Sequence, residues 1–104
     1  MRGILFGVIL AISGYAHSDW HVGKVDHIGI GYDGTTITVK VEGWTRNDCS
    51  CYPTWGTYMC LDPSRQTLDF EKSLILAARA RGSVVKINID EASCRVIAIY
   101  EDNN

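Results

Sequence analysis

The sequence predicts a small, disulfide-stapled all-β domain with a single helix. Three observations predict it: short runs of alternating apolar residues divided by Gly, Pro and Asp turn signals, one segment only with helical periodicity, and four cysteines in a chain of 104 residues. A chain of this length builds one core at most, and so thin a core gains from covalent staples.

Residues 1–16 read as a leader. Met1-Arg2 is a short basic start, residues 4–12 are largely apolar, and Ser13-Gly-Tyr-Ala16 ends on small residues before a polar stretch. This is the pattern of a secretory signal cleaved near Ala16. The apolar run falls short of the roughly 20 residues a transmembrane helix needs, so no membrane span is expected and residues 17–104 form one secreted or periplasmic domain.

Residues 17–32 are strand-like, with Trp20, Val22, Ile28 and Ile30 on one side and Val25 on the other; the phase slips near Gly23-Lys24. Glycines 23, 29 and 31 let a long strand bend, as a strand shared by two sides of a small barrel must. Asp33-Gly34 is a turn signal, and residues 35–44 then alternate, with Ile37, Val39 and Val41 facing in and Thr36, Thr38, Lys40 and Glu42 facing out. A polar loop covers 45–50. Pro53 and Gly56 confine the next strand to about 55–61, and Asp62-Pro63-Ser64 turns the chain into the helix.

The helix is expected over residues 68–82. Phe70, Ser73, Leu74, Ala77 and Ala78 share its core face, Asp69 caps its first turn, Arg79 and Arg81 complement the dipole at its last, and Gly82 closes it. Ile75, Leu76 and Ala80 extend the apolar arc beyond what one barrel can bury. With Arg79, they predict a contact with a second subunit, as does the two-sided apolar character of Val96, Ile97, Ala98 and Ile99. Strands follow over 83–90 and 94–100, joined by a turn at 90–93, and residues 101–104 are a solvated tail. The order β-β-β-α-β-β, with one helix between the third and fourth strands, fits a five-stranded Greek-key barrel of the OB type. An open α+β sheet covered by the helix is the alternative.

Cys49, Cys51, Cys60 and Cys94 all lie in the exported part, where disulfides form. Of the three connectivities, one containing Cys60–Cys94 ties the third strand to the last. It leaves Cys49–Cys51 as a small ring. The Cys49-x-Cys51 spacing is too tight for a zinc ligand pair, no third ligand stands in motif spacing with His21 and His27, and no metal or other cofactor is expected.

The formal net charge is −2, and loss of residues 1–16 removes Arg2 and no acid. Lys and Arg are scattered without the basic stripe a nucleic-acid binder carries. There is no nucleophile elbow, phosphate loop or paired carboxylate spacing, and a cysteine nucleophile would need a thiol that export oxidises. The chain is therefore expected to be non-enzymatic. Its informative residues are aromatic: Trp44, Arg46, Asp48, Tyr52 and Thr54 cluster around one loop, the mixture of flat rings, charges and hydroxyls that stacks on a sugar and fixes its hydroxyl groups. Trp55 and Tyr58 are expected to fill the core or cover the disulfides.

The stretch Trp20-His-Val-Gly-Lys-Val, the block Cys51-x3-Trp55-x4-Cys60 and the run Leu74-x2-Ala77-x5-Ser83-Val-Val-Lys-Ile-x6-Cys94-x-Val together resemble small secreted bacterial proteins related to the binding subunit of subtilase cytotoxin and of typhoid toxin. The resemblance implies an OB-fold, a pentameric homo-oligomer, recognition of sialylated cell-surface glycans or glycoproteins, and a separate catalytic toxin chain as partner. It assigns no glycan-contact residue here, because the toxin subunits carry a longer segment before the His-Val-Gly stretch. The runner-up is a stand-alone secreted module that binds or inhibits a protein and has no sugar site.

Overall fold

The computed structural model describes residues 18–102, so the expected leader and residues 103 and 104 lie outside the described residues. The elements are β1 (Ser18–Ile30), β2 (Ile37–Val41), β3 (Met59–Cys60), α1 (Leu68–Arg81), β4 (Val84–Asp90) and β5 (Val96–Asp102). The strands form one sheet in the order β3-β2-β1-β4-β5, antiparallel at every pairing. None of the described helices is long and apolar enough to cross a membrane.

The organising strand is β1. Ser18 to Lys24 pair with β4, while Val25 to Ile30 pair with β2. The hand-over is a bulge between Val25 and His27, so the extra residue is Asp26 and the slip lies slightly beyond Gly23-Lys24. Gly23 has its own reason: a β-carbon there would stand 2.8 Å from the Glu42 carbonyl oxygen, where the end of β2 crosses over. The bulge also settles the two histidines, because His21 pairs with the inward Ile87 and His27 pairs with Lys40 on the other face.

Turn chemistry shortens β2 at both ends. Asp33 Oδ1 accepts from the Thr35 and Thr36 amides, each at 2.9 Å, and Gly43 leaves the strand with φ +87°. The third strand is reduced to Met59–Cys60 because the loop before it bonds within itself, Cys49 N–H to Gly56 O and Trp55 N–H to Tyr52 O, instead of to β2. The chain just ahead of β5 nonetheless comes back to β3. Cys60 and Arg95 form an isolated parallel bridge, with the Cys60 amide 3.2 Å from the Cys94 carbonyl oxygen.

That backbone contact is not the disulfide. The bridges are Cys49–Cys94 and Cys51–Cys60, which overturns the expected Cys60–Cys94 pairing and its Cys49–Cys51 remainder. The cause lies in the loop. The Cys51 amide donates to Ser93 O at 3.0 Å, so the loop is laid along the β4–β5 turn with Cys49 opposite Cys94, and it returns over β3 with Cys51 opposite Cys60.

The helix has the expected ends. Gly82 is left-handed (φ 68°), its amide bonds to Arg79 O, and Ser83 N–H reaches Ala78 O. Thr67 rather than Asp69 occupies the N-cap, and Asp69 pairs instead with Lys72 at 3.1 Å. The buried face is turned from the expected one, sharing Ala78 with it and keeping Leu74 half-buried at its edge. It carries Glu71, Ile75 and Ala78, with Ile75 1% exposed, while Phe70 is 68% exposed and Leu76 also faces out. Ile75 is thus a core residue, packed in the cluster of Val39, Val41, Met59, Leu61, Ile87 and Val96, and cannot contact a second subunit; Leu76, Arg79 and Ala80 remain on the outside. Glu71 tolerates burial because its Oε2 accepts from Arg65 Nε at 2.7 Å and from the Thr67 hydroxyl at 2.8 Å. At the other end, Glu101 belongs to β5 rather than to a tail, and its carboxylate pairs with Arg81.

Candidate functional site

An aromatic trough lies over the far half of β1. His27, Gly29 and Gly31 alternate onto one face, and the two glycines leave that face without side chains. Across the strand pair, Gly29 stands opposite Thr38. Tyr52 packs down on Gly31, and the His27 ring and Thr38 hydroxyl close on Gly29; a cleft of about 190 Å³ remains beside them, with Tyr52, Trp55 and Tyr58 of the 51–58 loop in its lining. Thr38 was expected to face solvent and does lie on the outer face, but the loop buries it.

The near wall is a ladder of rings. Tyr52 is buried and its ring meets Tyr32 edge-on at 6.4 Å and Trp55 edge-on at 6.3 Å. The Tyr52 hydroxyl accepts from the Tyr32 amide at 3.4 Å, and the Tyr32 hydroxyl stands 3.5 Å from that of Thr54. Trp55 is 55% exposed, so it does not fill the core, the first of the two roles expected of it: the turn at 52–55 lifts its indole to the rim. On the far wall, His27 stacks on Tyr58 with centroids 4.5 Å apart, its Nε2 is 3.1 Å from the Thr38 hydroxyl, and Lys40 Nζ lies over the other ring of the pair, 5.6 Å from the Tyr58 centroid. Burial, then the nearby Lys40 charge, lowers the His27 pKa below the ordinary histidine value and keeps the ring neutral at pH 7.

The structure divides the five residues expected to bind ligand. Tyr52 lines the trough, and Thr54 stands outside its lining, joined to it through the Tyr32 hydroxyl. Trp44, Arg46 and Asp48 do not line it. The Trp44 indole N–H donates to Thr57 O at 2.9 Å and its ring packs edge-on against His21, which makes it a buttress beneath the loop. Arg46 donates to Asp48 at 2.9 Å and to Glu91 O at 2.8 Å, tying the loop to the β4–β5 turn; the same bond holds the Asp48 carboxyl below its usual pKa.

No known protein family, curated protein or solved structure matches the chain. The site therefore stands on its own chemistry. A floor with two missing side chains, exposed rings at the rim and hydroxyls between them suits a flat ligand with one apolar face and several hydroxyl groups. The sequence did hold a signal for the floor, the alternation His27-x-Gly29-x-Gly31, but glycines in a strand also read as bends. Tyr32 could not be placed, because it sits beyond the end of β1 and reaches the trough only through the Asp33 turn.

Proposed function

We propose that the protein is an exported, non-enzymatic binding subunit that recognises a cell-surface glycan, built on an OB-type Greek-key barrel and working as a homo-oligomer. The trough carries the reading: Trp55 and Tyr32 offer exposed ring faces, and the hydroxyls of Tyr32 and Thr54 and the His27–Thr38 pair offer hydrogen bonds beside them. The sheet order, together with the parallel contact of Cys60 with Arg95 at its ends, supports the barrel. Two disulfides are compatible with export. The resemblance to toxin-binding subunits supports a sialylated glycan as ligand, a pentameric ring and a catalytic partner chain.

For assembly, the supporting surface is a largely apolar cleft of about 150 Å³ where the exposed Ile30 and Leu76 flank Ile28, Ile37 and Leu61, with Lys72 also in its lining. The same cleft favours the second reading, a module that docks on a different protein. A glycan array probed with the oxidised chain from residue 17 tests the first: retention of a sugar, lost in Trp55→Ala and kept in Trp44→Phe, supports it. No retained glycan, or binding indifferent to Trp55, rejects it. Sedimentation of the same sample distinguishes an assembly from a monomer, and Leu76→Glu should dissociate the assembly.

A further inference from the structure

A second groove runs between α1 and β5 and shares no lining residue with the trough. Its volume is about 350 Å³, within the range of small-ligand sites. Arg65, Phe70, Glu71 and Leu74 form one side, and the consecutive residues 97–100 of β5 form the other.

Glu71 makes this groove more than an apolar crease. The residue is 5% exposed and lines the cavity, yet only Oε2 is engaged, by Arg65 Nε and the Thr67 hydroxyl. Its Oε1 is buried and accepts no hydrogen bond among the described residues. Leaving such an oxygen unmet is costly, and a ligand that donates to it recovers the loss. Arg65 gives Glu71 its Nε, and no acceptor among the described residues takes its Nη groups. Carboxylate acceptor and guanidinium donor thus stand side by side with their charges cancelled. An anion entering here would face Glu71 and a cation would face Arg65, so neither sign is favoured. At the rim, Phe70 and Tyr100 are exposed rings, and Tyr100 is braced by stacking on Trp20 at 5.7 Å.

We infer that this groove is a second, independent binding site, for a neutral hexose. A turn of the Glu71 carboxyl group brings the buried Oε1 to the groove, where one hydroxyl donates to it, a neighbouring hydroxyl accepts from an Arg65 Nη, and the apolar face of the sugar ring lies against the aromatic rim. Vicinal hydroxyls supply a donor and an acceptor at the separation that a paired carboxylate and guanidinium demand, and a neutral ring meets the cancelled charge.

The test is a two-dimensional amide NMR titration of the oxidised chain from residue 17 with the methyl glycosides of galactose, glucose and mannose, each to tens of millimolar. At least one sugar should move the amides of Phe70, Glu71 and residues 98–100 and the Arg65 Nε–H signal. Glu71→Gln, which keeps the shape, should weaken that binding by roughly tenfold. Tyr100→Ala should weaken it as well, and the native-like dispersion of each spectrum verifies folding. Trp55→Ala should leave it unchanged, so this site and the trough succeed or fail separately. Absence of groove shifts with all three sugars, shifts confined to the trough, or equal affinity in Glu71→Gln overturns the assignment. Groove shifts with an acetylated lysine tripeptide and none with the sugars would also overturn it, in favour of peptide capture.

Discussion

The Tyr52 ring lies directly over Gly31: a β-carbon on that glycine would stand 2.9 Å from a ring carbon and 3.1 Å from the hydroxyl oxygen. Because Tyr52 is buried, it has little room to yield. Gly31→Ala should cost about 1–3 kcal/mol, the usual range for overpacking, and tilt the ring that joins Tyr32 to Trp55. Urea unfolding and near-ultraviolet circular dichroism read the two effects. An alanine variant with unchanged stability and an unchanged aromatic spectrum would show that the contact is not tight.

The rotation of α1 gives a sharper prediction. Ile75→Ala should lose about 2–5 kcal/mol, and Ile75→Glu should not fold, whereas Leu76→Glu in the monomer should change stability by no more than about 0.5 kcal/mol. Denaturant unfolding of the three variants decides which face of the helix is inward. A tolerated Ile75→Glu would restore the face that periodicity suggested.

Much of the architecture was legible. The order of strands and helix, the Asp33 turn, the closing Gly82 and the alternation Val85, Ile87, Ile89 all follow from residue type and period, and the structure has them. The helix face was legible only in part: Ala78 is inward as expected, but two apolar arcs were available and the true one contains an acid. Glu71 reads as a surface residue until Arg65, six positions earlier, is known to reach it. The disulfides were hidden for a related reason: Cys60 and Cys94 are indeed backbone neighbours, but side-chain pairing depends on where an irregular loop lies, and that loop has no period to read. Of the trough's lining, clustering in sequence singled out Tyr52, while His27 and Gly29 arrive from β1 and Gly31 and Tyr32 from the residues just beyond it.

The two cross-links should differ in their effect. Cys49–Cys94 spans 45 residues and Cys51–Cys60 spans 9. On the loop-entropy account, removing the first as a double serine variant costs about 4 kcal/mol and removing the second about 2.6 kcal/mol. Urea unfolding of both variants checks the order, and a reversal would mean that local packing around Tyr52 outweighs chain entropy.

The His27 pKa is depressed in the fold, chiefly by burial. The contribution of a depressed group is complete above its unfolded value, near ~6.5, and is lost as pH falls through the folded value. The melting temperature should therefore decline between pH 7 and pH 5, and His27→Gln should flatten that part of the curve. Asp33, lowered to about 2 first by the Thr36 hydroxyl and then by the Thr35 and Thr36 amides, acts in a separate window below about pH 4. An identical slope between pH 7 and pH 5 in His27→Gln would assign the decline to other groups.

The central place of β1 has a consequence for how the molecule is made. Ser18 pairs with Asp90, so the strand that holds the sheet together receives its second partner only when most of the chain exists. Before that, β1 and β2 form a two-stranded ribbon, which is not stable alone in water. Synthesis therefore delivers an open polypeptide, and closure is a late search over distant contacts, of the kind that takes milliseconds to seconds rather than microseconds. Under the export we propose, in which the chain would cross a translocation pore as a thread, this delay is an advantage: nothing compact would form ahead of the channel, and the last third of the sequence would act as the latch on the far side.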